Sequence, residues 1–528
     1  MRKFSSYGPV NTVINYYVPR KGLFENARTQ LLGEVPDEGG HYITIWAPRQ
    51  AGKTWIMNQV LWDLTKDGRF DVLKLELEHL KMTEDTDSIA SDIAGKIIHY
   101  LDMKDVTVRN LKEFESLFRK EVLMKPLILI LDEFDALTKD AISGLASIFI
   151  NIHSIRQKDT NPSGKKEYLL HSVALIGVRS VLGIENLRES PFNVQRSVHI
   201  PNLTKDESEQ MFRWYESESG HKIEKEVMDR IFIETRGQPG LTSWLGELLT
   251  ETYPTDKSNP VNMEHFRYVY KRAVQALPNV NIINIINKAN QERYRETVLQ
   301  LFKTDRKIVF RYDDQRLNYL YMNGVIDIEE TEDDLYARFS SPFVQKRLFN
   351  FFSDELFREM GKLYEPFEDL SDTITPDRLN IRNLMRRHET HLKMNREWLL
   401  EDAPRRKDLR IYEAVYHFNL YRYLCDFLGT KNTRVYPEFP TGNGKVDLII
   451  EYAGQVYAIE VKSYTNQAGY REALTQAAEY GEQMNISEVH LVFFVEYVDE
   501  KNREKYEKDC QDEKTGVTVK PVFVETGN

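Results

Sequence analysis

Apolar runs alternate with helix-like stretches between residues 40 and 240. Four of these runs predict strands, at 42–46, 72–77, 127–131 and 173–178. Continuous apolar runs of this length are typical of strands that are buried on both faces of a parallel sheet. Because the predicted strands alternate with helices, residues 1–250 are expected to form an α/β domain with a parallel sheet.

The pattern differs in the second half of the chain. Residues 251–350 and 351–404 are mainly helix-like, and the last region, 405–528, returns to a mixed pattern. There, two apolar strands at 445–450 and 456–462 are joined by a short turn and flanked by helix-like stretches. The sequence therefore predicts a multidomain α/β protein.

A phosphate-binding loop is predicted after the first strand. Segment 47–54 reads Ala-Pro-Arg-Gln-Ala-Gly-Lys-Thr and leads into a helix-like stretch. Backbone N–H groups at a helix start can cradle a phosphate, the lysine reaches the outer phosphates, and the threonine hydroxyl ligates magnesium. The pattern G-x-x-x-x-G-K-[ST] has Ala47 at its first position, where Pro48 still favours a turn. The candidate nucleotide-binding residues are Arg49, Gln50, Ala51, Gly52, Lys53 and Thr54.

A second part of this site is predicted where run 127–131 ends in Asp132 and Glu133. Ligands of open α/β sheets bind at the carboxyl ends of the strands. Asp132 is a candidate magnesium ligand beside Thr54, and Glu133 is a candidate for polarising the attacking water. The alternative is a buried strand that ends at a solvated acidic turn, and the phosphate-binding loop favours the nucleotide site.

Length and composition limit the class of protein. A chain of 528 residues is expected to hold several domains, and 41% hydrophobic with 29% charged residues is ordinary for globular proteins. There is no run of about 20 apolar residues that would predict a membrane span, and the N-terminus lacks the apolar core of a signal peptide. The only cysteines, Cys425 and Cys510, match no disulfide framework or zinc spacing, so a cytoplasmic location is expected.

The net charge of −11 argues against a protein that coats nucleic acid by bulk electrostatics, although a local basic groove remains open. The most basic region is the predicted connector 351–404 with the residues just after it. Its cations are Arg382, Arg386, Arg387, Lys393, Arg396, Arg405, Arg406, Lys407 and Arg410. A solvated helix face is the first interpretation of such a run, and phosphate contact is the second.

The ordered motifs of the first half resemble the AAA-like, STAND-type P-loop ATPases. They are Tyr17-Val-Pro-Arg20, the loop 47–54, Leu-Asp-Glu-Phe-Asp at 131–135, Gly-Val-Arg179, the segment 190–204 and Gly-Gln-Pro239. The resemblance implies an ATP site in which Arg179 senses the γ-phosphate and Pro239 contacts the adenine side. It also implies that a winged helix follows the ATPase domain.

A matching winged-helix pattern occurs within 251–350. A helix-like stretch, 315–323, ends at Gly324, which suits the position after a helix. Strand-like segments 325–328 and 335–339 follow, and the turn between them, Glu-Glu-Thr-Glu-Asp-Asp, carries five acids in six positions. Because these acids would repel phosphate, we expect the winged helix to contact a protein partner rather than DNA.

A second candidate site lies on the two C-terminal strands. Asp447 lies near the start of the first, and Glu460 and Lys462 lie on the second. Alternate residues of a strand share a face, so Glu460 and Lys462 are on the same side. Two carboxylates on adjacent strands can ligate magnesium, and a lysine beside them can position and activate a water molecule. The alternative is an amphipathic hairpin with solvated charges, although Glu460 and Lys462 stand among apolar neighbours.

The pattern D-x12-E-x-K on a hairpin closely resembles the PD-(D/E)xK nuclease superfamily. This resemblance implies a restriction-endonuclease-like domain at 405–528, with Asp447 and Glu460 as metal ligands and Lys462 as the water-positioning residue. It also implies that Glu413 is an auxiliary metal ligand and that Gln476 and Tyr480 form a Gln-x-x-x-Tyr element behind the active site. Val446 stands where many members have proline.

The first functional hypothesis is an ATP-binding protein whose nucleotide state regulates a Mg²⁺-dependent nuclease, with DNA favoured over RNA as substrate. Defence or mobile-element biology is its expected context by analogy. The second is a signalling or scaffold ATPase that forms homo-oligomers on ATP binding and carries a non-catalytic nuclease-like domain. The third, a DNA-translocating motor, is disfavoured because the sequence has no dedicated helicase motifs and the winged helix is acidic.

Overall fold

The computed structural model describes residues 2–6, 8, 10–158, 167–177, 196–302, 307–405, 411–429, 433–438, 447–463 and 466–527. The chain forms two compact units, one of Met1–Ala273 with Tyr321–Gly324 and one of Val274–Leu320 with Val325–Asn528. Among the described residues, no helix combines the length and apolar character needed to cross a membrane.

The first unit contains a five-stranded parallel sheet with the strand order β2-β3-β4-β1-β5. Its strands are β1 (Tyr42–Trp46), β2 (Asp71–Glu76), β3 (Leu127–Asp132), β4 (Leu170–Gly177) and β5 (Arg196–His199). Its helices are α1 (Lys21–Leu32), α2 (Lys53–Thr65), α3 (Thr86–Tyr100), α4 (Leu111–Ser116), α5 (Lys139–Lys158), α6 (Lys205–Ser219), α7 (Lys225–Thr235), α8 (Pro239–Glu247) and α9 (Met263–Gln275). The predicted parallel sheet is confirmed, and each of the four predicted strands is present within three residues of its expected bounds.

Both faces of this sheet are buried, as the continuous apolar runs predicted. In β3, Leu127, Leu129 and Leu131 belong to the core beneath α3, α4 and α5, whereas Ile128 and Ile130 belong to the core beneath α1 and α2. All six residues of β3 are buried. Alternate residues of a strand point to opposite faces, so a strand covered on both sides must be apolar throughout. β3 thereby carries its last residue, Asp132, to the carboxyl edge of the sheet.

The second unit is built on a six-stranded mixed sheet with the order β13-β14-β12-β11-β10-β9, and it also holds a three-stranded antiparallel sheet with the order β6-β8-β7. Its strands are β6 (Ile308–Val309), β7 (Ile326–Glu330), β8 (Leu335–Phe339), β9 (Arg434–Glu438), β10 (Asp447–Tyr452), β11 (Gln455–Ser463), β12 (Glu488–Val495), β13 (Cys510–Gln511) and β14 (Thr518–Glu525). Its helices are α10 (Val280–Ala289), α11 (Glu292–Leu301), α12 (Gln315–Met322), α13 (Pro342–Leu356), α14 (Ile381–Leu399), α15 (Glu413–Leu428), α16 (Gln467–Gln483) and α17 (Glu500–Tyr506).

The predicted C-terminal hairpin is present as β10 and β11, which pair in antiparallel register. Two residues join them, Ala453 with a φ of 49° and Gly454 with a φ of 77°. A two-residue turn with positive φ at both positions matches the right-handed twist of the flanking strands. The turn therefore fixes which residue of β10 lies opposite which residue of β11.

The basic side chains of α14 are engaged within the second unit. Arg382 bonds the Asp509 carboxylate at 2.7 Å, and Arg387 bonds the Asp372 carboxylate at 2.7 Å. The other described contacts run from Arg386 to the Phe523 carbonyl and Glu507, from Lys393 to Glu389 and Glu525, and from Arg396 to the Gly527 carbonyl. These contacts favour a structural role for the basic run over phosphate contact. Arg406, Lys407 and Arg410 lie outside the described residues.

Candidate functional site

The loop between β1 and α2 has the backbone shape that its glycine allows. Gly52 has a φ of 95° and a ψ of 13°, a left-handed conformation that residues with a Cβ rarely adopt. Gln50 also has a positive φ, 58°. Lys53 is the first residue of α2 and Thr54 the second. The helix start thus lies at the carboxyl end of β1, where a bound phosphate would meet free N–H groups.

Lys53 is turned back onto its own loop. Its Nζ donates hydrogen bonds to the carbonyl oxygen of Ala47 at 2.8 Å and to that of Pro48 at 3.1 Å. The side chain is buried, and burial lowers the pKa of its ammonium group, while Glu133 and Asp135 nearby oppose that shift. A phosphate that reached this lysine would have to replace the two carbonyl bonds.

Asp132 lies beside the loop and is held by a lysine that no sequence motif marks. Lys74 Nζ on β2 lies 2.9 Å from Asp132 Oδ2, and Asp132 Oδ1 accepts a bond from the Glu133 N–H at 3.1 Å. The side chains of Lys74 and Asp132 are only 8% and 4% exposed. Strands β2 and β3 are neighbours, with Glu76 opposite Asp132. The sequence does contain one indication of this pair, which is the lysine at position 74 inside an apolar strand. Buried lysines are almost always paired with an acid.

Glu133, the predicted water-polarising residue, follows Asp132 with a left-handed backbone, φ 56° and ψ 38°. Burial raises the pKa of its carboxyl group, and the nearby charge of Asp135 raises it further, while Lys53 opposes the shift. A carboxyl group with a raised pKa at the end of a strand is a reasonable general base. The loop, Asp132 and Glu133 are therefore close to one another at the carboxyl edge of the sheet, and their roles in nucleotide binding and hydrolysis stay predictions.

Gly177 closes the site on the β4 side. A Cβ built at this position would lie 2.7 Å from Asp135 Oδ1, so only glycine permits the observed approach of the Asp135 side chain. The predicted sensor Arg179 follows two residues later and lies outside the described residues. Its role therefore stays a prediction.

The Gln-Pro-Gly start of α8 contacts the phosphate-binding loop. Gln238 Nε2 donates to the Arg49 carbonyl at 3.0 Å, and the Gly240 N–H donates to the Gln50 carbonyl at 3.2 Å. Pro239 occupies the first turn of α8, where its missing N–H costs nothing. The sequence motif at 237–239 is thus next to the loop, although no described contact tests the predicted adenine contact of Pro239.

The second candidate site is organised by the register of three strands. Asp447 on β10 lies opposite Glu460 on β11 and, on its other side, opposite Glu438 on β9. Asp447 and Glu413 are placed here by their backbones alone: Asp447 is the first residue of β10 and Glu413 is the first residue of α15. The predicted pairing of Asp447 with Glu460 is present at the level of the backbone.

Glu460 and Lys462 form the described centre of this site. Lys462 Nζ lies 3.1 Å from Glu460 Oε1 and also donates to Gln476 Oε1 on α16. Glu460 is 1% exposed, and neither carboxylate oxygen has a hydrogen-bond partner among the described residues. Gln476 Nε2 bonds Glu472 at 3.0 Å, and Tyr480 is buried one turn further along α16.

Glu460 supplies the kind of oxygen ligand that a hard cation takes. A buried carboxylate without hydrogen-bond donors is costly unless a cation or proton compensates it, and oxygen ligands are those that Mg²⁺ prefers. Among the described side chains, no group of three or more His, Cys, Asp and Glu residues could hold a metal ion. Asp447 and Glu413 are not among those side chains, so the predicted ligand set remains a prediction.

Residues 6–245 match the family model of an AAA-like domain. The N-terminal part of the chain is therefore an AAA-like P-loop ATPase domain, and the C-terminal part is a mixed α/β sheet domain. The comparison with curated proteins gives no match.

Several solved structures are similar at low identity. The Walker-type ATPase of Pyrococcus abyssi has 13% identity and a TM-score of 0.40, covering 65% of this chain and 99% of that one. The ORC1 protein of Aeropyrum pernix, in complex with DNA, has 16% identity and a TM-score of 0.34, covering 63% and 92%. Cdc6p of Pyrobaculum aerophilum has 16% identity and a TM-score of 0.34, covering 64% and 96%.

Proposed function

We propose, starting from the AAA-like P-loop ATPase domain, that this protein binds and hydrolyses ATP and that its nucleotide state regulates a Mg²⁺-dependent nuclease in the C-terminal domain. The substrate is nucleic acid, with DNA favoured. ATP and Mg²⁺ are the cofactors, with Thr54 and Asp132 holding the magnesium of the nucleotide and Asp447, Glu460 and Glu413 holding that of the nuclease.

The observation that carries the nuclease proposal is the environment of Glu460. The carboxylate of Glu460 is buried, forms an ion pair with Lys462 at 3.1 Å and has no hydrogen bond among the described residues, and Asp447 is its register partner. A solvated amphipathic hairpin, the alternative interpretation, would leave Glu460 exposed. Charges that are buried and placed together in this way usually serve binding or catalysis.

The chain's own residues suggest a division of labour in phosphodiester hydrolysis. Gln476 accepts a hydrogen bond from Lys462 and so orients the ammonium group toward Glu460. Lys462 then positions a water molecule whose oxygen forms a new bond to phosphorus while one P–O ester bond breaks. The attacking water gives up one proton to solvent, and the leaving oxygen takes one proton up from solvent. A bound magnesium ion would supply Lewis-acid stabilisation of the developing charge.

Regulation by nucleotide is supported by the position of Lys53. The lysine that should meet the outer phosphates instead bonds the carbonyl groups of Ala47 and Pro48. ATP binding must exchange these bonds for phosphate contacts, which changes the loop and, through Gln238 and Gly240, the start of α8. This local rearrangement is the switch that we propose, and homo-oligomer formation or a partner of the winged helix would transmit it.

The test is a cleavage assay on plasmid and linear DNA with Mg²⁺, with and without ATP. Lys462→Ala should lower the cleavage rate at least about 10²-fold, since it removes the residue that positions water. Lys53→Ala should remove the effect of ATP on cleavage while leaving the C-terminal site intact. Lys520→Ala, which removes a partly buried lysine of the same sheet that pairs with Glu488, is the matched control.

Two results would contradict the proposal. Cleavage by Lys462→Ala at the wild-type rate would contradict nuclease activity at this site and favour the scaffold ATPase with a non-catalytic C-terminal domain. Cleavage by Lys53→Ala with an unchanged response to ATP would remove the regulation and leave two independent activities.

A further inference from the structure

The row of acids at the C-terminal site continues onto a third strand. Glu438 is the last residue of β9, and its register partner on β10 is Asp447, which in turn pairs with Glu460 on β11. Adjacent strands lie about 4.8 Å apart, so neighbouring positions in this row are within the reach of one or two bound ions. Glu438 is not part of the D-x12-E-x-K pattern or of the elements that accompany it.

The strand alternation puts Glu438 and Glu460 on the same face. Tyr436, Ile449 and Ala458 all contribute to the core beneath α16, and each is two residues from a member of the row. Because side chains two apart share a face, the positions 438, 447 and 460 all belong to the α16 face of the sheet. This is the face on which Lys462 meets Gln476.

Glu438 has a partner of its own. Lys346 Nζ on α13 lies 3.2 Å from Glu438 Oε2, and the lysine side chain is only 5% exposed. An ammonium group this far from water needs an anion. Lys346 therefore fixes Glu438 at the edge of the row and places a positive charge where a divalent cation would otherwise find a carboxylate.

The third observation is Glu460 itself, which is 1% exposed and has two carboxylate oxygens without hydrogen-bond partners among the described residues. A lone acidic cluster on a surface would be screened by water. Here one member is buried, and its described countercharge is Lys462, whose Nζ lies 3.1 Å from Glu460 Oε1. The three acids of the row face two described ammonium groups, those of Lys346 and Lys462, so the row carries one negative charge more than these two cations balance.

We propose that Glu438 is a further carboxylate of the metal site and that Lys346 competes with a divalent cation for it. This inference rests on the proposed nuclease function and deepens it. The inference makes α13 a part of the site. If α13 moved and withdrew Lys346, the negative charge of Glu438 would no longer be neutralised and would be available to a cation. Metal affinity would then depend on the position of a helix that lies outside the nuclease-like sheet.

The test is a Mn²⁺ titration of the full-length protein without nucleotide, followed by electron paramagnetic resonance of the free ion. Glu438→Gln should weaken Mn²⁺ binding by about tenfold, in the range seen when groups around a metal are removed. Lys346→Met should tighten binding severalfold. In the double variant, Lys346→Met should have a smaller effect than in the wild type, because the competition for Glu438 is gone. Glu488→Gln, an exposed acid on β12, is the control.

The outcomes separate this inference from the function on which it rests. If Glu460→Gln weakens Mn²⁺ binding and Glu438→Gln does not, the proposed nuclease site stands, but the proposal that Glu438 is a further carboxylate of that site is wrong. If wild type and Glu460→Gln bind Mn²⁺ equally, the proposed metal site itself is wrong. If Lys346→Met lowers only the melting temperature and leaves Mn²⁺ affinity unchanged, the lysine merely anchors α13 and the competition is wrong.

Discussion

The two candidate sites use buried lysines in different ways. In the P-loop site, Lys53 bonds loop carbonyls and Lys74 neutralises Asp132, so both lysines already have partners within the protein. In the C-terminal site, Glu460 faces one cation, Lys462, and has no hydrogen-bond donor among the described residues. The first site must exchange internal bonds when ligand arrives, whereas at the second the three acids Glu438, Asp447 and Glu460 outnumber the two described lysines that face them, Lys346 and Lys462. A site that must rearrange suits a switch, and a site with excess negative charge suits a metal.

The strongest test of this contrast is Lys74→Met. Breaking a buried ion pair by removing one partner typically costs about 3–5 kcal/mol, and both side chains here are almost fully buried. We expect the free energy of unfolding of the first unit to fall by about this amount in urea denaturation. Lys346→Met should cost less, because its partner Glu438 is 20% exposed.

Lys112→Met, at an exposed position of α4, is the control for removing a lysine from the first unit. Equal losses for Lys74→Met and Lys346→Met would break the contrast between the sites. A loss from Lys74→Met no larger than that of the control would mean that the Asp132 ion pair does not stabilise the fold.

The next test is Lys53→Ala, measured by titration with a fluorescent ATP analogue. Removing one partner of a buried charged contact costs about 2–4 kcal/mol, so ATP affinity should fall by about 10²-fold or more. Mn²⁺ affinity of the C-terminal site should stay at the wild-type value. Lys66→Ala, at the exposed end of α2, is the matched control, and equal ATP binding by both variants would contradict the assignment of the loop.

A smaller effect is expected from Gly177→Ala, which tests how tightly the first site is packed. The added Cβ meets Asp135 Oδ1 at 2.7 Å, and overpacking of this kind costs about 1–3 kcal/mol. Gly95→Ala on α3 adds the same methyl group to open space and should stabilise the helix by up to about 1 kcal/mol. Thermal unfolding of both variants measures the difference, and equal melting temperatures would show that Asp135 moves freely.

The smallest expected effect is a pH dependence that Glu133 gives to the first unit. Its pKa is raised above the ordinary value of 4.5 by burial, so the folded state binds the proton more tightly than the unfolded chain. Stability from this group is present below that value and is lost as pH rises toward the higher folded pKa. Glu133→Gln should therefore gain stability over wild type as pH rises above 4.5, and parallel pH profiles would contradict the burial of this carboxyl group.

The sheet of the first unit was predictable because its strands are continuous apolar runs. The residues of 42–46 form β1, and 127–131 form all but the last residue of β3. The hairpin of β10 and β11 was also predictable, since alternation and a short turn fix its register. These features depend on neighbours in sequence, which the chain itself displays.

Contacts between distant segments were not predictable in the same way. Lys74 reaches Asp132 because β2 is the neighbour of β3, and Lys346 reaches Glu438 because α13 packs beside β9. Neither relation appears in local periodicity. The basic residues of α14 are a third example. Their run of positive charge is visible in the sequence, but the acids at 507, 509 and 525 that neutralise these side chains lie more than a hundred residues away along the chain.

The two-residue turn at Ala453 and Gly454 has a consequence for how this gene can change. Side chains in a strand repeat every two residues, so inserting or deleting one residue within β11 before Glu460, with the turn kept at two residues, would exchange inward and outward positions along that strand. Asp447 would then lose Glu460 as its partner. A change of two residues would keep the alternation and move the pairing by two positions. We therefore expect natural insertions and deletions within this part of the hairpin strand, unlike those in its turn, to come in even numbers.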